Sequence, residues 1–171
     1  MLELTTLIRD IPDFPKKGIL FKDITTLLKE PAAFKQAIDQ LTDHVRGYEP
    51  EIVIGMESRG FIFAAPIAYL LDAGFVPVRK LGKLPGEVIS TEYELEYGTN
   101  TLELHSDAIV AGQRVLIVDD LLATGGTVSA TINLVERLGG KVMAVAFLVE
   151  LTALNGRERL GDYEVVSLIK F

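Results

Sequence analysis

The stretch VLIVDDLLATGGT, residues 115–127, constrains the fold more than any other part of the chain. It opens with four apolar residues, a run typical of a strand that a parallel sheet buries on both faces. Two adjacent acids, Asp119 and Asp120, follow where we expect the strand to leave the sheet. Beyond the glycines, apolar residues recur at spacings of four and three, which predicts an amphipathic helix: Val128, Ile132 and Val135. The unit is therefore a strand, an acidic and glycine-rich loop, and a helix.

The other hydrophobic patterns repeat this order of elements. Strands are predicted at 51–55, 75–79, 141–151 and 163–169, and helices from Pro31 to about Gly47 and at 60–74. A strand, a helix and a second strand within one short stretch are the repeating element of an α/β fold. We expect one domain with an open, mostly parallel twisted sheet and helices on both faces.

Two segments depart from this pattern. Residues 1–30 contain proline and aromatic residues without clear periodicity, and we expect an irregular packed cap there. Residues 80–106 begin with a loop of glycine, proline and lysine, and continue with alternating apolar and acidic residues around Gly-Thr-Asn at 98–100. This alternation predicts a two-stranded hairpin with its turn at that point. The hairpin either acts as a lid over the carboxyl edge of the sheet or protects a sheet edge with its charged face, and the pattern favours neither.

Composition limits the classes of partner and location. The formal net charge of −7 disfavours nucleic acid, whose binding requires many Lys and Arg side chains to neutralise phosphates. The 171 residues include no cysteine, which fits a reducing compartment and excludes disulfides and thiolate metal sites. The apolar stretch at 60–71 is shorter than the roughly 20 residues that cross a bilayer. We therefore expect a buried helix there, no membrane span and, since no signal segment is evident, a cytoplasmic protein.

The loop after the predicted strand has the composition of an anion-binding site. Gly125 and Gly126 allow the backbone to direct its N–H groups to one point. Thr124 and Thr127 add hydroxyl groups, and the following helix presents its positive end there. This combination suits a phosphate monoester, and the lack of a G-x-x-x-x-G-K-[ST] motif argues against a nucleoside triphosphatase. A Thr-Gly-Gly-Thr turn can also simply begin a helix, but here two acids precede it.

The acids and a separate basic cluster extend this predicted site. Carboxylates repel phosphate, so Asp119 and Asp120 are expected to accept hydrogen bonds from sugar hydroxyls or to stabilise positive charge on a sugar ring. Alternatively, Asp120 caps the helix or accepts hydrogen bonds from loop amides. A ribose 5-phosphate would satisfy both the loop and the acids. Arg79, Lys80 and Lys83 suit a small polyanion, although a lysine-rich loop is also common as a solvated segment.

Several segments together resemble one known family. VLIVDDLLATGGT resembles the phosphoribosyl-diphosphate-binding motif of type I phosphoribosyltransferases, with four apolar residues, two acids and A-T-G-G-T. Further segments are similar to their counterparts in adenine phosphoribosyltransferases, in the same order: DFPKKGILFKDIT, ESRGF, RKLGKLPG, YELEYGT with LELH after it, and FLVEL. The similarity extends from about Ile11 to the C-terminus.

The resemblance implies the type I phosphoribosyltransferase fold, with an N-terminal cap, or hood, and a flexible hairpin lid. It implies a purine salvage enzyme that transfers 5-phosphoribose from 5-phosphoribosyl diphosphate to adenine, giving AMP and pyrophosphate. It also implies Mg²⁺, held mainly by the diphosphate and ribose of the substrate, and a homodimer. Small molecules are then the expected partners, with no nucleic acid and no membrane.

The resemblance also assigns roles to residues. The 5-phosphate is expected on Ala123, Thr124, Gly125, Gly126 and Thr127. The expected catalytic residues are Glu96, near the imidazole nitrogens of adenine, and Asp119 and Asp120, near the ribose. Pyrophosphate is expected on Ser58, Arg59, Arg79, Lys80 and Lys83, with a cis peptide bond between Glu57 and Ser58. Adenine is expected on Leu20, Phe21 and Lys22, and Tyr97 belongs to the lid.

The contact made by one residue is open, and several other classes of protein are alternatives. Many family members carry arginine at the position of Lys22, and lysine lacks its planar fork, so the contact made there is undetermined. A phosphoribosyl-diphosphate-sensing regulator would need a DNA-reading domain or a basic face, and a phosphoribosyltransferase for hypoxanthine or xanthine would need a different cap. A Rossmann-type enzyme lacks its G-x-G-x-x-G turn here. No protein metal site is predicted, because His44 and His105 have no further histidine or cysteine near them in sequence.

Overall fold

The computed structural model describes residues 2–94 and 98–171. The chain divides into two compact units, residues 1–40 and 41–171. The predicted organisation, a single domain with a cap at 1–30 and a lid at 80–106, stays a prediction.

The N-terminal unit contains a small antiparallel sheet. A 3-10 helix at Leu4–Leu7 is followed by β1 at Arg9–Pro12, β2 at Leu20–Asp23, α1 at Thr25–Leu28 and the start of α2 at Pro31–Val45. The expectation of an irregular segment is therefore wrong for β1 and β2. β1 is largely exposed and β2 runs from an exposed Leu20 to a buried Asp23, so neither strand has the apolar alternation by which a strand is recognised in a sequence. Charged pairs across the strands hold them instead, since Arg9 faces Asp23 and Lys22 faces Asp10.

The second unit is built on a twisted, mostly parallel sheet, as predicted. Within residues 41–94 and 98–171, the strands are β3 at Ile52–Met56, β4 at Gly74–Lys80, β5 at Val88–Glu94, β6 at Thr99–His105, β7 at Arg114–Leu122, β8 at Lys141–Glu150 and β9 at Val165–Lys170. Their order is β5-β6-β4-β3-β7-β8-β9, in which β4, β3, β7, β8 and β9 are parallel and β5 and β6 are antiparallel. The helices are α3 at Gly60–Leu71 and α4 at Gly126–Arg137, with 3-10 helices at Arg46–Tyr48, Thr152–Leu154 and Glu158–Leu160.

Helices α3 and α4 cover opposite faces of this sheet. A methyl group placed on Gly55 of β3 would lie 2.9 Å from Cβ of Ala64, so this position faces α3. Its neighbours Ile54 and Met56 belong to the buried apolar cluster that includes Val128 of α4. Because successive residues of a strand point to opposite faces, the two helices lie on opposite sides. This arrangement confirms the predicted fold class.

Strand β7 is longer than predicted. We expected it to end at Val118, before the two acids, but it continues to Leu122. The reason is β8, whose ten residues stay paired with β7 to its end, whereas pairing between β7 and β3 stops at Gly55 and Val118. Asp119 and Asp120 therefore remain in the part of β7 that lies beside β8, beyond the last residue that pairs with β3.

Helix α3 is less buried than predicted. Phe63 and Ile67 are fully buried, but Ile62 and Leu70 are exposed and Tyr69 is 85% exposed. A helix that is apolar on all sides cannot reveal from its sequence which side is covered. In the described ranges of the chain, no helix is both long and apolar enough to cross a membrane.

The predicted hairpin forms as β5 and β6, and β5 is the edge strand of the sheet. Thr99 and Asn100, predicted in the turn, instead belong to β6 and pair with Glu94 and Tyr93 across the hairpin. Glu96 and Tyr97, predicted as catalytic and lid residues, lie outside the described residues.

Candidate active site

The loop between β7 and α4 presents backbone N–H groups that have no protein acceptor. Gly125 precedes α4 with φ of +81°, the left-handed region that favours glycine. In the part of the chain that the structure describes, the N–H groups of residues 124–127 donate to no protein atom. They lie at the positive end of α4, beside a hollow of about 70 Å³ lined by the loop, Asp119 and Phe147. The loop can therefore bind an anion without first losing a protein hydrogen bond.

The two acids of β7 have different surroundings. Asp120 is buried, and its Oδ2 accepts a hydrogen bond of 2.5 Å from Nε of Arg59. Oδ1 of Asp119 accepts a hydrogen bond of 2.9 Å from the backbone N–H of Asp120. Burial, together with the negative charge of Asp120, raises the pKa of Asp119 well above its usual range. The pair thus combines a carboxylate held by an arginine with a carboxyl group that readily binds a proton.

The start of α3 lies directly against these acids. A methyl group on Gly60 would lie 2.8 Å from Oδ1 of Asp119 and 2.9 Å from the carbonyl oxygen of Val118. Only a residue without a side chain allows this approach. Since β3 and β7 are parallel neighbours, the turn after β3 and the loop after β7 share one edge of the sheet.

The turn after β3 contains the predicted cis peptide bond. The bond between Glu57 and Ser58 is cis, which confirms that expectation. Ser58 and Arg59 are exposed at this turn. The hydrogen bond from Arg59 to Asp120 joins a residue predicted to bind pyrophosphate to one predicted to lie near the ribose.

Glu57 organises the basic residues at the end of β4. Its carboxylate accepts hydrogen bonds from Nε and Nη2 of Arg79, each at 3.3 Å, and from the backbone N–H of Lys80 at 2.9 Å. The Lys80 hydrogen bond, followed by those of Arg79, lowers the pKa of Glu57 despite its partial burial. Arg79 also donates a hydrogen bond of 3.2 Å to the carbonyl oxygen of Lys83. Arg79 and Lys80, the residues of β4 predicted to bind pyrophosphate, are therefore both held by the carboxylate of Glu57.

A second acid fixes the loop that carries Lys83. The carboxylate of Glu103, which is buried on β6, accepts a hydrogen bond of 2.9 Å from the backbone N–H of Gly82. Lys80 and Lys83 are themselves exposed. The loop backbone is thus held while the two ammonium groups stay accessible to a ligand.

The hairpin lies against the beginning of α4. A methyl group on Gly126 would lie 3.6 Å from the carbonyl oxygen of Glu94 and from Cδ2 of Tyr93. Further along α4, Nη1 of Arg137 donates a hydrogen bond of 2.7 Å to the carbonyl oxygen of Ser90. Strand β5 therefore follows α4 from its first turn onward.

The three residues predicted to bind adenine are consecutive on β2 of the N-terminal unit. Leu20 is 49% exposed. The ring of Phe21 packs edge-on with that of Phe14, with 5.1 Å between ring centroids. Nζ of Lys22 contacts Oδ1 of Asp10 at 2.7 Å, and only 10% of the lysine side chain is exposed. At the position that departs from the family pattern, the lysine thus forms an ion pair within this unit.

Comparisons with known proteins agree on one family. Residues 23–171 match the family model described as phosphoribosyl transferase domain. An adenine phosphoribosyltransferase of Alkaliphilus metalliredigens is 61% identical over 99% of this chain and 100% of that protein. The chain belongs to the adenine phosphoribosyltransferase family. The crystal structure of the family member from Thermoanaerobacter pseudethanolicus is 58% identical, covers 99% of this chain and 98% of its own, and has a TM-score of 0.96. That of the Saccharomyces cerevisiae member, complexed with adenine and an imino-altritol bisphosphate, is 41% identical with a TM-score of 0.91 over 95% of this chain and 94% of its own.

The two loops of this adenine phosphoribosyltransferase family member are evident from its sequence, but the residues that support them are not. Glu57 had a local signal, as the acid immediately before the serine of the predicted cis bond. Gly60 lies in ESRGF and Glu103 in LELH, but the sequence does not show what they contact, because Asp119 and Gly82 approach them only through helix packing and strand pairing.

Proposed function

We propose that this chain is a purine salvage enzyme that transfers 5-phosphoribose from 5-phosphoribosyl diphosphate to adenine, giving AMP and pyrophosphate. The observation that carries the proposal is the group of unpaired N–H groups at residues 124–127, beside Asp119 and on the same sheet edge as the cis Glu57–Ser58 turn. A sugar with a phosphate at one end and a diphosphate at the other suits two anion-binding turns on one edge. Membership of the adenine phosphoribosyltransferase family supports adenine as the acceptor.

In this proposal the sugar-phosphate binds along β7 and its loop. Residues 123–127 hold the 5-phosphate, and Asp119 and Asp120 face the ribose. As the bond from C1 to the diphosphate breaks, its electron pair leaves with pyrophosphate and the ring gains positive charge. Asp119, whose pKa is raised by burial and by Asp120, gives its proton to solvent before the hairpin closes, and its carboxylate then faces the ring. The ionised carboxyl group then stabilises the ring when its charge is greatest.

The leaving diphosphate is expected to bind on the other side of the same edge. The contributing residues are Ser58, Arg59, Arg79, Lys80 and Lys83. Both guanidinium groups are held by an acid, Arg59 by Asp120 and Arg79 by Glu57, so their orientation is fixed before the ligand binds. Ser58, which is exposed at the turn after β3, contacts the same ligand in this proposal.

Adenine is expected to bind to the N-terminal unit and to react through N9. The lone pair of N9 forms the new bond to C1, and Glu96 accepts the proton that N9 loses. Phe21 offers an aromatic face for stacking, and backbone groups of Leu20 distinguish an amino from an oxo group. Tyr97 and the hairpin then exclude water, which would otherwise capture the charged ring.

Magnesium is expected to arrive with the substrate. Among the residues that the structure describes, no three His, Cys, Asp or Glu side chains are grouped to hold a metal ion. The diphosphate and the ribose hydroxyls supply the oxygen ligands that Mg²⁺ prefers, and Asp119 and Asp120 are the nearest protein carboxyl groups in this proposal. When bound, Mg²⁺ neutralises charge on the departing diphosphate.

We also propose a homodimer that covers the exposed side of α3. Ile62, Tyr69 and Leu70 are exposed along this helix, and Phe75 of the next strand is 39% exposed. Several large apolar side chains exposed close together are typical of protein interfaces. Sedimentation equilibrium measures the oligomeric state directly. The cytoplasmic location expected from the sequence stays a prediction.

The deciding experiment incubates the protein with phosphoribosyl diphosphate, Mg²⁺ and one of adenine, hypoxanthine, guanine or xanthine, and measures pyrophosphate release. We expect release with adenine alone. Release with an oxopurine but not with adenine would make the chain an oxopurine phosphoribosyltransferase. Binding of phosphoribosyl diphosphate without release for any base would indicate a regulator.

A further inference from the structure

The phosphate loop contains no cation to balance the dianion that we propose it binds. Residues 119–128 include two acids and no Lys or Arg. Arg59 and Arg79 at the same sheet edge are each engaged with an acid, Asp120 and Glu57 respectively. A phosphate monoester next to two carboxyl groups is held more tightly when a cation lies close to it. A balancing cation is therefore to be sought among elements packed against the loop.

The segment after β8, residues 155–160, packs against this loop. A methyl group on Gly156 would lie 2.1 Å from the carbonyl oxygen of Ala123, and one on Gly125 would lie 2.6 Å from the carbonyl oxygen of Gly156. Arg157 anchors the segment, because its Nε and Nη2 donate to the two carboxylate oxygens of Glu150 at 3.0 and 2.6 Å. The segment has little freedom to move relative to the loop.

This packing places Arg159 beside the first turn of α4. A methyl group on Gly126 would lie 3.5 Å from Nη1 of Arg159, and one on Gly125 would lie 3.4 Å from its Cβ. The guanidinium group borders a cavity of about 490 Å³ that Ser129 and Asn133 of α4 also line. Within residues 2–94 and 98–171, Arg159 takes part in no hydrogen bond or ion pair. This cavity and the hollow beside the loop share Gly126 in their linings, so the five donors of Arg159 lie next to that hollow but do not line it.

We propose that Arg159 is a binding residue for the 5-phosphate, supplying the positive charge that the phosphate loop lacks. This inference rests on the proposed function, since it needs a phosphate at residues 123–127. Glu92 and Glu94 of the hairpin line the same cavity and are the competing partners for this guanidinium group. If they bind it instead, Arg159 serves the hairpin and not the phosphate.

The test compares the affinity for AMP, which carries the phosphate, with that for adenosine, which does not, by calorimetric titration. Three variants are used: Arg159→Gln, Arg159→Lys and Arg46→Gln. The last removes the same charge from the exposed Arg46, which precedes β3 and so lies toward the opposite edge of the sheet. Circular dichroism and thermal melting verify that each variant is folded.

We expect Arg159→Gln to weaken AMP binding about tenfold, the effect of losing one partly exposed charge-assisted hydrogen bond. Adenosine binding should not change, Arg159→Lys should retain most of the AMP affinity, and Arg46→Gln should match the wild type. Unchanged AMP affinity in Arg159→Gln, or equal losses for AMP and adenosine, would overturn the inference while leaving the proposed function intact. A wild type that binds AMP no better than adenosine would overturn both.

Discussion

Replacement of Gly156 by alanine tests whether the 155–160 segment sets the position of the phosphate loop. The added Cβ would lie 2.1 Å from the carbonyl oxygen of Ala123 and 3.0 Å from Cδ1 of Leu122. Carbon and carbonyl oxygen normally approach to about 3.3 Å, so one of the two segments must move by roughly 1 Å. The φ angle of Gly156 is not positive, so alanine adds no backbone strain and the effect is steric.

The movement falls on the loop for a structural reason. Arg157 is fixed to Glu150 and also donates a hydrogen bond of 2.8 Å to the carbonyl oxygen of Val165. Leu122 is held in β7, while Ala123 is the first residue beyond the strand. Overpacking of this kind costs about 1–3 kcal/mol of unfolding free energy. A displacement of about 1 Å at a binding loop costs on the order of 10²-fold in kcat/KM.

The assay measures kcat/KM for phosphoribosyl diphosphate by pyrophosphate release, together with Tm. Gly47→Ala is the matched control, because a methyl group on Gly47 would meet no atom within 4 Å. We expect the control to match the wild type and Gly156→Ala to lose both kcat/KM and Tm. A lowered Tm with wild-type kcat/KM would show that the segment does not position the loop, and no change in either would refute the steric reasoning itself.

Three further substitutions test the acids of the proposed site. Asp119→Asn keeps the hydrogen bond from the Asp120 N–H but cannot ionise, so turnover should fall. Because the folded-state pKa of Asp119 is raised, the wild type loses stability as the pH rises above the unfolded-state pKa of about 4. The asparagine variant has no such loss, so its Tm minus that of the wild type should increase with pH above about 4. A Tm difference that stays constant with pH contradicts this. Glu57→Gln should raise the KM for phosphoribosyl diphosphate about 3- to 10-fold through weaker support of Arg79, and an equal rise for adenine would count against that role. Glu96→Ala should lower kcat by about 10²-fold or more with an unchanged Tm, and wild-type kcat would remove its role as proton acceptor.

The sequence predicted those parts of the site that short segments encode. The phosphate loop follows from the glycines at 125 and 126, and the cis bond before Ser58 from a five-residue resemblance. The length of β7 was missed because pairing with the long β8, and not its own residues, keeps Asp119 in the sheet. The hydrogen bonds from Arg79 to Glu57 were also not predicted, because the two residues meet only through the pairing of the parallel strands β3 and β4.

The pairing of arginines with acids explains how a chain of net charge −7 can serve a polyanionic substrate. A guanidinium group left free at the surface loses side-chain entropy when it binds, whereas one held by a carboxylate has already lost it. Arg59 and Arg79 are each held by a carboxylate, so each brings an acid to the site but has a fixed orientation. In the proposed function that fixed orientation suits the diphosphate, because the leaving group must be held in one orientation as the bond breaks. The 5-phosphate takes no part in that bond in the same proposal, and the neighbouring Arg159 has no acid partner in the described part of the chain.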